Sequence, residues 1–401
     1  MKKILLSAIA IASLTQVASA TTLGEALQNG TYSTKARVFY FNRGFDEPST
    51  ADDAQALTAG GIMKYVTGDF NGLKAGIAYY GSHRLGSIFT REEGTGTSIL
   101  GRSGEDLSFL GEAYLEYCLY CVGGGLSNTT IKVGRQQLAT PLIQNHDLRI
   151  LPSVYEAAII KNEDIKDTVV ELGYVKRYTG FTSKDNRFND YNTKWGEDGL
   201  GYISVKNSTI PNLSVRAQYV MPLSDEDKAG NTIKIDDYKY IDAKYALPFG
   251  EKTYIKAQYG GNAYNVGEDS TLYGVKAGTT FGMFDVAVLY DKVDDNEFKA
   301  VESGPMYSDW QQGYGNYEPS EAFGGQIIAH PFAGMSFKVG YVDVAADEGF
   351  KRDDFSEMNI DAKYKLSSNS KIRVRYSLKD QTDESDREDR DDFRIIYYLN
   401  F

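Results

Sequence analysis

Alternating apolar and polar residues recur along most of the chain, in segments of roughly 8 to 12 residues. Such alternation is typical of β-strands with one apolar face, and this length suits a tilted strand that crosses a bilayer. The pattern predicts eighteen strands, at residues 31–42, 55–67, 72–81, 108–117, 128–136, 153–162, 168–178, 199–207, 212–221, 237–247, 252–262, 271–280, 283–292, 322–330, 334–344, 356–366, 370–379 and 391–401.

The segments between these strands alternate between short and long. Residues 68–71 and 163–167 are short connections, whereas residues 82–107 and 179–198 are long ones. Outer-membrane barrels have tight periplasmic turns and extended outer loops, whereas a globular sandwich has no reason to alternate in this way. We therefore predict an all-β chain that forms a single 18-stranded antiparallel transmembrane β-barrel over residues 31–401.

The connection after the fifth predicted strand breaks the alternation. It contains Pro141 and Pro152, which a strand in the middle of a sheet would not tolerate, so it must be a loop. Its apolar residues would be costly on a loop that extends into water, so we expect residues 137–151 to fold into the lumen and pack on an inner wall. These apolar residues are Leu138, Leu142, Ile143, Leu148, Ile150 and Leu151.

Four polar residues at this loop are candidates for the constriction of a channel: Gln136, Asn145, Asp147 and Arg149. An acid that faces a base across a narrow point orients a dipolar solute and sets selectivity. The alternative is that Asp147 and Arg149 pair with each other and hold the loop on the wall.

The first residues have the form of a targeting segment. Lys2 and Lys3 precede an apolar run that ends in Ala18-Ser19-Ala20, so residues 1–20 are predicted to be a cleaved secretory signal peptide. Residues 21–30 are predicted to be a short periplasmic segment with one or two helical turns.

Strand alternation also predicts which side chains face the lumen. In the last strand, Phe393, Ile395 and Tyr397 share the apolar outer face, so Arg394 faces inward, and the other strands follow the same rule. The resulting basic ladder consists of Arg37, Arg216, Lys256, Lys338, Lys363, Lys365, Arg373, Arg375 and Arg394, with Lys132, Lys244 and Lys276 placed inward by the same rule.

Cations spaced along a wall offer a carboxylate or phosphate successive weak sites, so an anionic solute moves without a single deep trap. The alternative is that the lumen is polar without being selective, because acidic neighbours neutralise the cations. The candidate neighbours are Glu171, Asp242, Asp285 and Asp361.

Composition narrows the function further. The chain has 30 Tyr and 40 Gly among 401 residues, which suits a twisted sheet with aromatic belts. Its formal charge of −12 argues against nucleic acid as a partner.

Cys118 and Cys121 are expected to form a small disulfide in an oxidising compartment. The three histidines are widely separated, so no catalytic residue, metal site or cofactor is predicted.

The words GRQQLATPLI and NHDLRILPSVYE, the opening strand from Arg37 to Arg43, the basic C-terminal strands and the terminal Phe401 resemble the OprD family of outer-membrane porins. The resemblance implies an inward-folded third loop, a basic ladder, and recognition of Phe401 by the barrel assembly machinery. It places the protein in the outer membrane of a Gram-negative bacterium, in contact with outer-membrane lipid and lipopolysaccharide, as a monomer or a homotrimer.

We therefore expect a porin that lets small hydrophilic solutes diffuse passively and favours anionic or zwitterionic ones that carry a carboxylate, such as amino acids, small peptides and organic acids. One alternative is a general, weakly selective and cation-preferring porin, because the acidic loops could outweigh the inner cations. A second is a structural barrel or surface adhesin that is closed to solutes.

Overall fold

The computed structural model describes residues 22–45, 53–86, 97, 99–100, 104–122, 127–145, 149–179, 195–226, 232–302, 304–311, 318–347, 350, 354–381 and 389–401. One short helix, α1 (Leu23–Gln28), precedes the strands. The hydroxyl of Thr22 caps this helix by accepting a hydrogen bond from the N–H of Glu25 at 3.2 Å. The carbonyl of Ala26 accepts a hydrogen bond from the N–H of Gly68 at 2.8 Å, which ties the helix to the turn after the second strand.

Eighteen strands form one antiparallel sheet, and each contains one of the alternating segments identified in the sequence. Their ends differ from the predicted ends by at most a few residues. The strands are β1 (Thr31–Phe45), β2 (Ala54–Val66), β3 (Leu73–Arg84), β4 (Leu107–Cys118), β5 (Thr129–Gln136), β6 (Val154–Asn162), β7 (Thr168–Thr179), β8 (Leu200–Asn207), β9 (Leu213–Pro222), β10 (Ile235–Ala246), β11 (Glu251–Tyr264), β12 (Ser270–Phe281), β13 (Phe284–Asp294), β14 (Ser320–Ala329), β15 (Met335–Ala346), β16 (Phe355–Lys365), β17 (Ser370–Gln381) and β18 (Arg390–Asn400).

The sheet closes on itself. Each strand pairs with its neighbours in sequence, and β1 pairs with both β2 and β18. Closure leaves no strand with an unpaired edge, which is how a β structure satisfies its backbone hydrogen bonds in a membrane. The predicted 18-stranded antiparallel barrel is therefore confirmed.

The two faces of the wall differ as the alternation predicts. On β13, Val288 is 65% exposed, while its neighbours Ala287 and Leu289 are buried. Phe323 on β14 and Tyr259 on β11 are likewise exposed on the outer face. Large exposed apolar residues recur around the barrel and would be unfavourable in water, so the outer face is suited to lipid.

The short connections lie at one end of the barrel and are closed by residues suited to tight turns. Between β2 and β3, Asn71 and Gly72 both have positive φ, at 51° and 83°. This Asn-Gly pair is the preferred sequence for a two-residue hairpin turn, because both positions need left-handed backbone. At the same end, Cys118 and Cys121 are joined by a disulfide. In the part of the chain described here, no helix is long and apolar enough to cross a membrane.

Candidate functional site

The third loop, residues 137–153, is held on the wall at its base by a polar network. The side-chain amide of Gln137 donates to Tyr80 Oη at 2.6 Å and to Glu112 Oε1 at 3.1 Å. The carboxylate of Glu112 is 2% exposed and also accepts a hydrogen bond from Lys64 Nζ at 2.7 Å. These contacts anchor the start of the loop to inward-facing side chains of β2, β3 and β4.

The middle of the third loop is bound to β9. The N–H of Leu142 donates to Gln218 Oε1 at 2.8 Å, and Gln218 Nε2 donates to Thr140 Oγ1 at 2.8 Å. Gln218 alternates along β9 with Tyr219, which lies on the exposed outer face, so Gln218 belongs to the inner face. Leu142 and Ile143 are fully buried in a cluster that includes inward-facing residues of β6 to β13.

The end of the third loop packs on a different sector of the wall. Ile150 and Leu151 belong to a second apolar cluster that contains Phe39 and Phe41 of β1 and residues of β2, β3, β4 and β18. The guanidinium of Arg37 donates a hydrogen bond to the carbonyl of Arg149. The loop therefore contacts two sectors of the inner face that belong to different strands.

The seventh loop, residues 295–319, joins the third loop by backbone hydrogen bonds. The N–H groups of Val301 and Glu302 donate to the carbonyl of Leu142 at 3.1 and 3.2 Å, and the N–H of Gln144 donates to the carbonyl of Glu302 at 3.1 Å. Phe298 and Val301 are buried in the same cluster as Leu142. The two loops therefore pack as one unit.

Two buried carboxylates on the wall hold the seventh loop. Asp291 on β13 accepts a hydrogen bond from the N–H of Ser308 at 2.6 Å, and Glu357 on β16 accepts one from the N–H of Gln311 at 2.9 Å. Both carboxylate side chains are on the inner face and are fully buried. Burial of Tyr307 between these anchors, together with the charges of Asp242 and Asp291, raises the pKa of its hydroxyl.

An aromatic contact fixes the far part of the seventh loop. A Cβ atom at Gly340 on β15 would lie 2.7 Å from the ring of Trp310, so any larger residue at this position would displace the ring. Lys338, two residues earlier on β15, places its Nζ 4.7 Å from the centroid of the same ring. Trp310 therefore connects the seventh loop to Lys338, a predicted ladder cation.

Sequence reasoning did not identify these anchors. Glu112, Gln218, Asp291 and Glu357 each bind a loop residue, and none was singled out as a candidate. The signal present in the sequence was a polar residue at an inward position of an otherwise apolar strand segment. That signal does not reveal which loop the side chain meets, because the partners are distant along the chain.

Several ladder arginines are paired with carboxylates. Arg373 binds Asp361 through a bidentate contact, with Nε at 2.9 and 3.1 Å from the two carboxylate oxygens. Arg394 Nη2 lies 2.7 Å from Asp392, and Arg216 binds Asp242 in the same way. Lys363 and Arg375 are 3.7 and 3.8 Å from Asp361. A carboxylate at this distance removes much of the attraction that a guanidinium offers to a passing anion.

A row of lysines differs from these arginines. Lys244, Lys256 and Lys276 are direct cross-strand partners on β10, β11 and β12. Within the described ranges, none of the three ammonium groups lies within 4.0 Å of a carboxylate. The row is two residues, roughly 7 Å, nearer the short-turn end than Asp242 and Gln258, which belong to the level of the loop anchors.

The other predicted site residues have varied surroundings. Gln136 is 2% exposed, and its amide donates to the carbonyl of Ala157 at 3.2 Å, within the wall. Asn145 donates to Gln137 Oε1 at 2.9 Å, within the loop. Arg149 Nη1 donates to the carbonyl of Thr97 at 3.3 Å. Asp147 lies outside the described residues. Lys365 is exposed at the short-turn end of β16.

The histidines that the structure describes lie near single carboxylates. His83 Nδ1 is 3.2 Å from Asp106, and His330 Nε2 is 2.9 Å from Asp285. Over the described ranges, no group of three or more His, Cys, Asp or Glu residues could hold a metal ion.

Comparison with known proteins shows which family the chain matches. The model of the family described as outer membrane porin, OprD family, matches residues 26–401. The fold is similar to that of OccK9 (OpdG) from Pseudomonas aeruginosa, at 16% identity and a TM-score of 0.75 over 94% of this chain and 99% of that chain. OccAB1 from Acinetobacter baumannii is similar at 13% identity and a TM-score of 0.75, over 96% and 99% of the two chains.

The search among curated proteins found no matching sequence. The sequence identities to these solved structures are too low to assign a function, so the structural similarity supports the barrel fold alone. The family match covers almost the whole sequence, including the loop words and the C-terminal strands. The chain belongs to the OprD family of outer-membrane porins.

Proposed function

We propose that this porin lets small hydrophilic solutes diffuse passively through the barrel and favours those that carry a carboxylate. The third and seventh loops narrow the lumen, and the lysine row Lys244, Lys256 and Lys276 lies beyond them on the short-turn side. A solute that passes the loops then meets ammonium groups on three adjacent strands. No chemical step is needed, so the protein acts as a channel.

The observation that carries this proposal is the lack of a close carboxylate at the lysine row. Arg216, Arg373 and Arg394 have carboxylate partners, whereas no described carboxylate lies within 4.0 Å of the three ammonium groups. An ammonium without a close counter-ion attracts an anion from the lumen, and neighbouring ones offer successive weak sites. The lysine row therefore supports selectivity more strongly than the ladder as a whole.

A cation-preferring, weakly selective porin is the second candidate. Asp291, Glu302 and Glu357 are buried where the two loops meet the wall, and the whole chain has a formal charge of −12. Carboxylates near a narrow point favour cations. The two candidates differ in the sign of the ion preference.

The reversal potential of single channels in planar bilayers under a KCl gradient distinguishes them. We expect wild-type protein to prefer chloride, and the double variant Lys256→Gln/Lys276→Gln to lose most of that preference. Liposome swelling with lactate, glycine and glucose extends the test to solutes, and we expect the variant to slow lactate more than glucose.

Lys239→Gln is the matched control, because Lys239 lies on the outer face of β10 and pairs with Asp237 at 3.1 Å. It should leave the reversal potential unchanged. A cation preference in wild-type protein that Lys256→Gln/Lys276→Gln does not alter would contradict the proposal and favour the second candidate.

A further inference from the structure

Asp291 on β13 is a buried carboxylate that is held by hydrogen bonds from neutral groups. Its Oδ2 accepts from the N–H of Ser308 in the seventh loop at 2.6 Å, and its Oδ1 accepts from Gln258 Nε2 on β11 at 2.7 Å. Its side chain is fully buried, and among the described residues no lysine, arginine or histidine nitrogen lies within 4.0 Å of it. A buried charge without a close cation is costly, so these hydrogen bonds carry its stabilisation.

A glycine on the strand between them allows Gln258 to reach Asp291. Gly274 on β12 is the cross-strand partner of both residues, so the three form one row on β11, β12 and β13. A Cβ atom at Gly274 would overlap Asp291 Oδ1 and would lie 2.7 Å from Gln258 Nε2. The missing side chain at this position is therefore the space in which the carboxylate and the amide meet.

A second carboxylate in the same hydrogen-bond network has a cation. Gln258 Oε1 accepts a hydrogen bond from Tyr240 Oη at 3.1 Å, and the same hydroxyl donates to Asp242 at 3.0 Å. Asp242 is paired with Arg216. Asp242 therefore keeps a counter-ion, whereas Asp291 depends on Ser308 and Gln258.

The other titratable groups around Asp291 do not change charge in the acid range. Its charge acts on Lys276, two residues along β12, and on Tyr307 in the seventh loop. Tyr240 adjoins it through Gln258, and β14 faces it with Ala322. Lysine and tyrosine side chains titrate at about pH 10 in water, and carboxylates at about pH 4. Between neutral and acid pH, the group at this anchor that gains a proton is therefore the Asp291 carboxylate.

We propose that Asp291 is a positioning residue that holds residues 306–309 of the seventh loop on the wall only while it is ionised, so that acid pH releases this segment. A proton from the lumen water occupies one carboxylate oxygen. Both hydrogen bonds then lose their charge assistance, which makes such bonds roughly twice as strong as neutral ones. The wall lies on one side of the segment, so a released segment moves toward the lumen.

This inference rests on the proposed narrowing of the lumen by the third and seventh loops. The other attachments of the seventh loop remain at acid pH, because Val301 and Glu302 are bound to Leu142 by backbone hydrogen bonds. At the far anchor, Glu357 has Lys379 as its cross-strand partner, so a cation adjoins that carboxylate. Acid pH should therefore loosen the middle of the loop without removing the loop from the lumen.

The test records single channels in planar bilayers at about pH 7.5 and about pH 4.5 and measures the variance of the open-channel current. We expect the variance of wild-type protein to rise about threefold at the lower pH, because the released segment fluctuates in the lumen. Asp291→Asn has the shape of the protonated acid and no charge. It should show the high variance at both pH values.

Two controls separate the charge of Asp291 from other changes. Asp294→Asn removes a carboxylate from the outer face of the same strand, where it pairs with Lys292 at 3.1 Å, and should respond to pH as wild type does. Glu357→Gln weakens the far anchor, so it should raise the variance at both pH values, but it retains Asp291 and should keep the pH response.

Gly274→Ala tests the anchor with the carboxylate retained. The added methyl group occupies the space between Asp291 and Gln258, so this variant should also show high variance at both pH values. It keeps the inference testable if Asp291→Asn does not fold, which heat-modifiable migration on gels reports.

Equal variance in wild-type protein at the two pH values, a pH response that persists in Asp291→Asn, or a quiet Asp291→Asn channel at neutral pH would overturn the inference. The reversal potential in the same recordings reports separately on the proposed function. A chloride preference with a variance that does not depend on pH would contradict the role of Asp291 alone. A cation preference with the expected pH response would contradict the solute preference alone.

Discussion

Two of the sectors of the barrel that carry lumen-facing lysines differ in the surroundings of those lysines. In the β2–β5 sector, Lys64 is 2.7 Å from Glu112, and Lys132 is 3.9 Å from Glu116 with its Nζ 3.8 Å from the ring centroid of Tyr114. In the β10–β12 sector, Lys256 and Lys276 face each other, with no carboxylate among the described residues within 4.0 Å.

The difference shows that inward direction alone does not define a role. In the β2–β5 sector, the charge of Lys64 stabilises the buried carboxylate of Glu112, which also holds the third loop. In the β10–β12 sector, the charge is available to a solute. Removing the charges of the β2–β5 sector should therefore lower the stability of the protein, whereas removing the charges of the β10–β12 sector should change its ion preference.

Glu112→Gln should have the largest effect on stability. It leaves Lys64 without its carboxylate and weakens the contact that Gln137 makes at the base of the third loop. Breaking a buried pair costs about 3–5 kcal/mol, and because the Lys64 side chain is 26% exposed we expect about 2–3 kcal/mol. Urea titration in liposomes, followed by heat-modifiable gel migration, measures the loss.

Glu116→Gln is the control for this variant. Glu116 is 31% exposed and 3.9 Å from Lys132, so its loss should cost less than about 1 kcal/mol. If the two variants lose equal stability, Glu112 does not have the anchoring role that its contacts indicate.

Gln218→Ala should have the next largest effect, on the loops. It leaves the buried N–H of Leu142 without its acceptor, which costs about 1–3 kcal/mol. Since Leu142 also accepts the hydrogen bonds of the seventh loop, both loops should loosen. Single-channel recordings should show larger and noisier conductance.

Gln326→Ala is the matched variant, because Gln326 lies on the inner face of β14 and no contact from it to either loop is among those described. Its conductance should equal that of wild type. Identical recordings from Gln218→Ala and wild type would show that the loop position does not depend on β9.

A change in salt concentration should have the smallest effect, and it should alter only the ion preference that comes from the β10–β12 sector. Raising KCl from about 0.1 M to about 1 M shortens the Debye length from about 10 Å to about 3 Å, so the chloride preference from the lysine row should decline. The stability difference between wild type and Glu112→Gln should change little, because Glu112 is buried. A preference that persists unchanged at high salt would point to the size of the pore rather than to charge.

The barrel could be predicted from local pattern. Alternation fixes which residues of a strand share a face, and the alternation of short and long connections specifies the order of the strands. For this reason, Lys256, Lys338 and Arg375 were assigned to the inner face from sequence alone, and the structure places them at inward positions. The family resemblance rested on the third-loop words and is confirmed over residues 26–401.

Which charges are paired could not be predicted in this way. Asp361 meets Arg373 and Asp392 meets Arg394, but the same alternation leaves Lys256 beside Lys276, because strand register decides which side chains become neighbours. A shift of two residues in one strand would preserve every face and change every pair.

The amino-acid sequence by itself determined the strands, their two faces and the existence of a loop that cannot be a strand, because each depends on residues close together along the chain. Only the tertiary structure decided that Gln136 is buried in the wall and that Gln218, Asp291 and Glu357 hold the two loops. Those contacts join residues distant in sequence, and they form only when the closed barrel brings its strands into register.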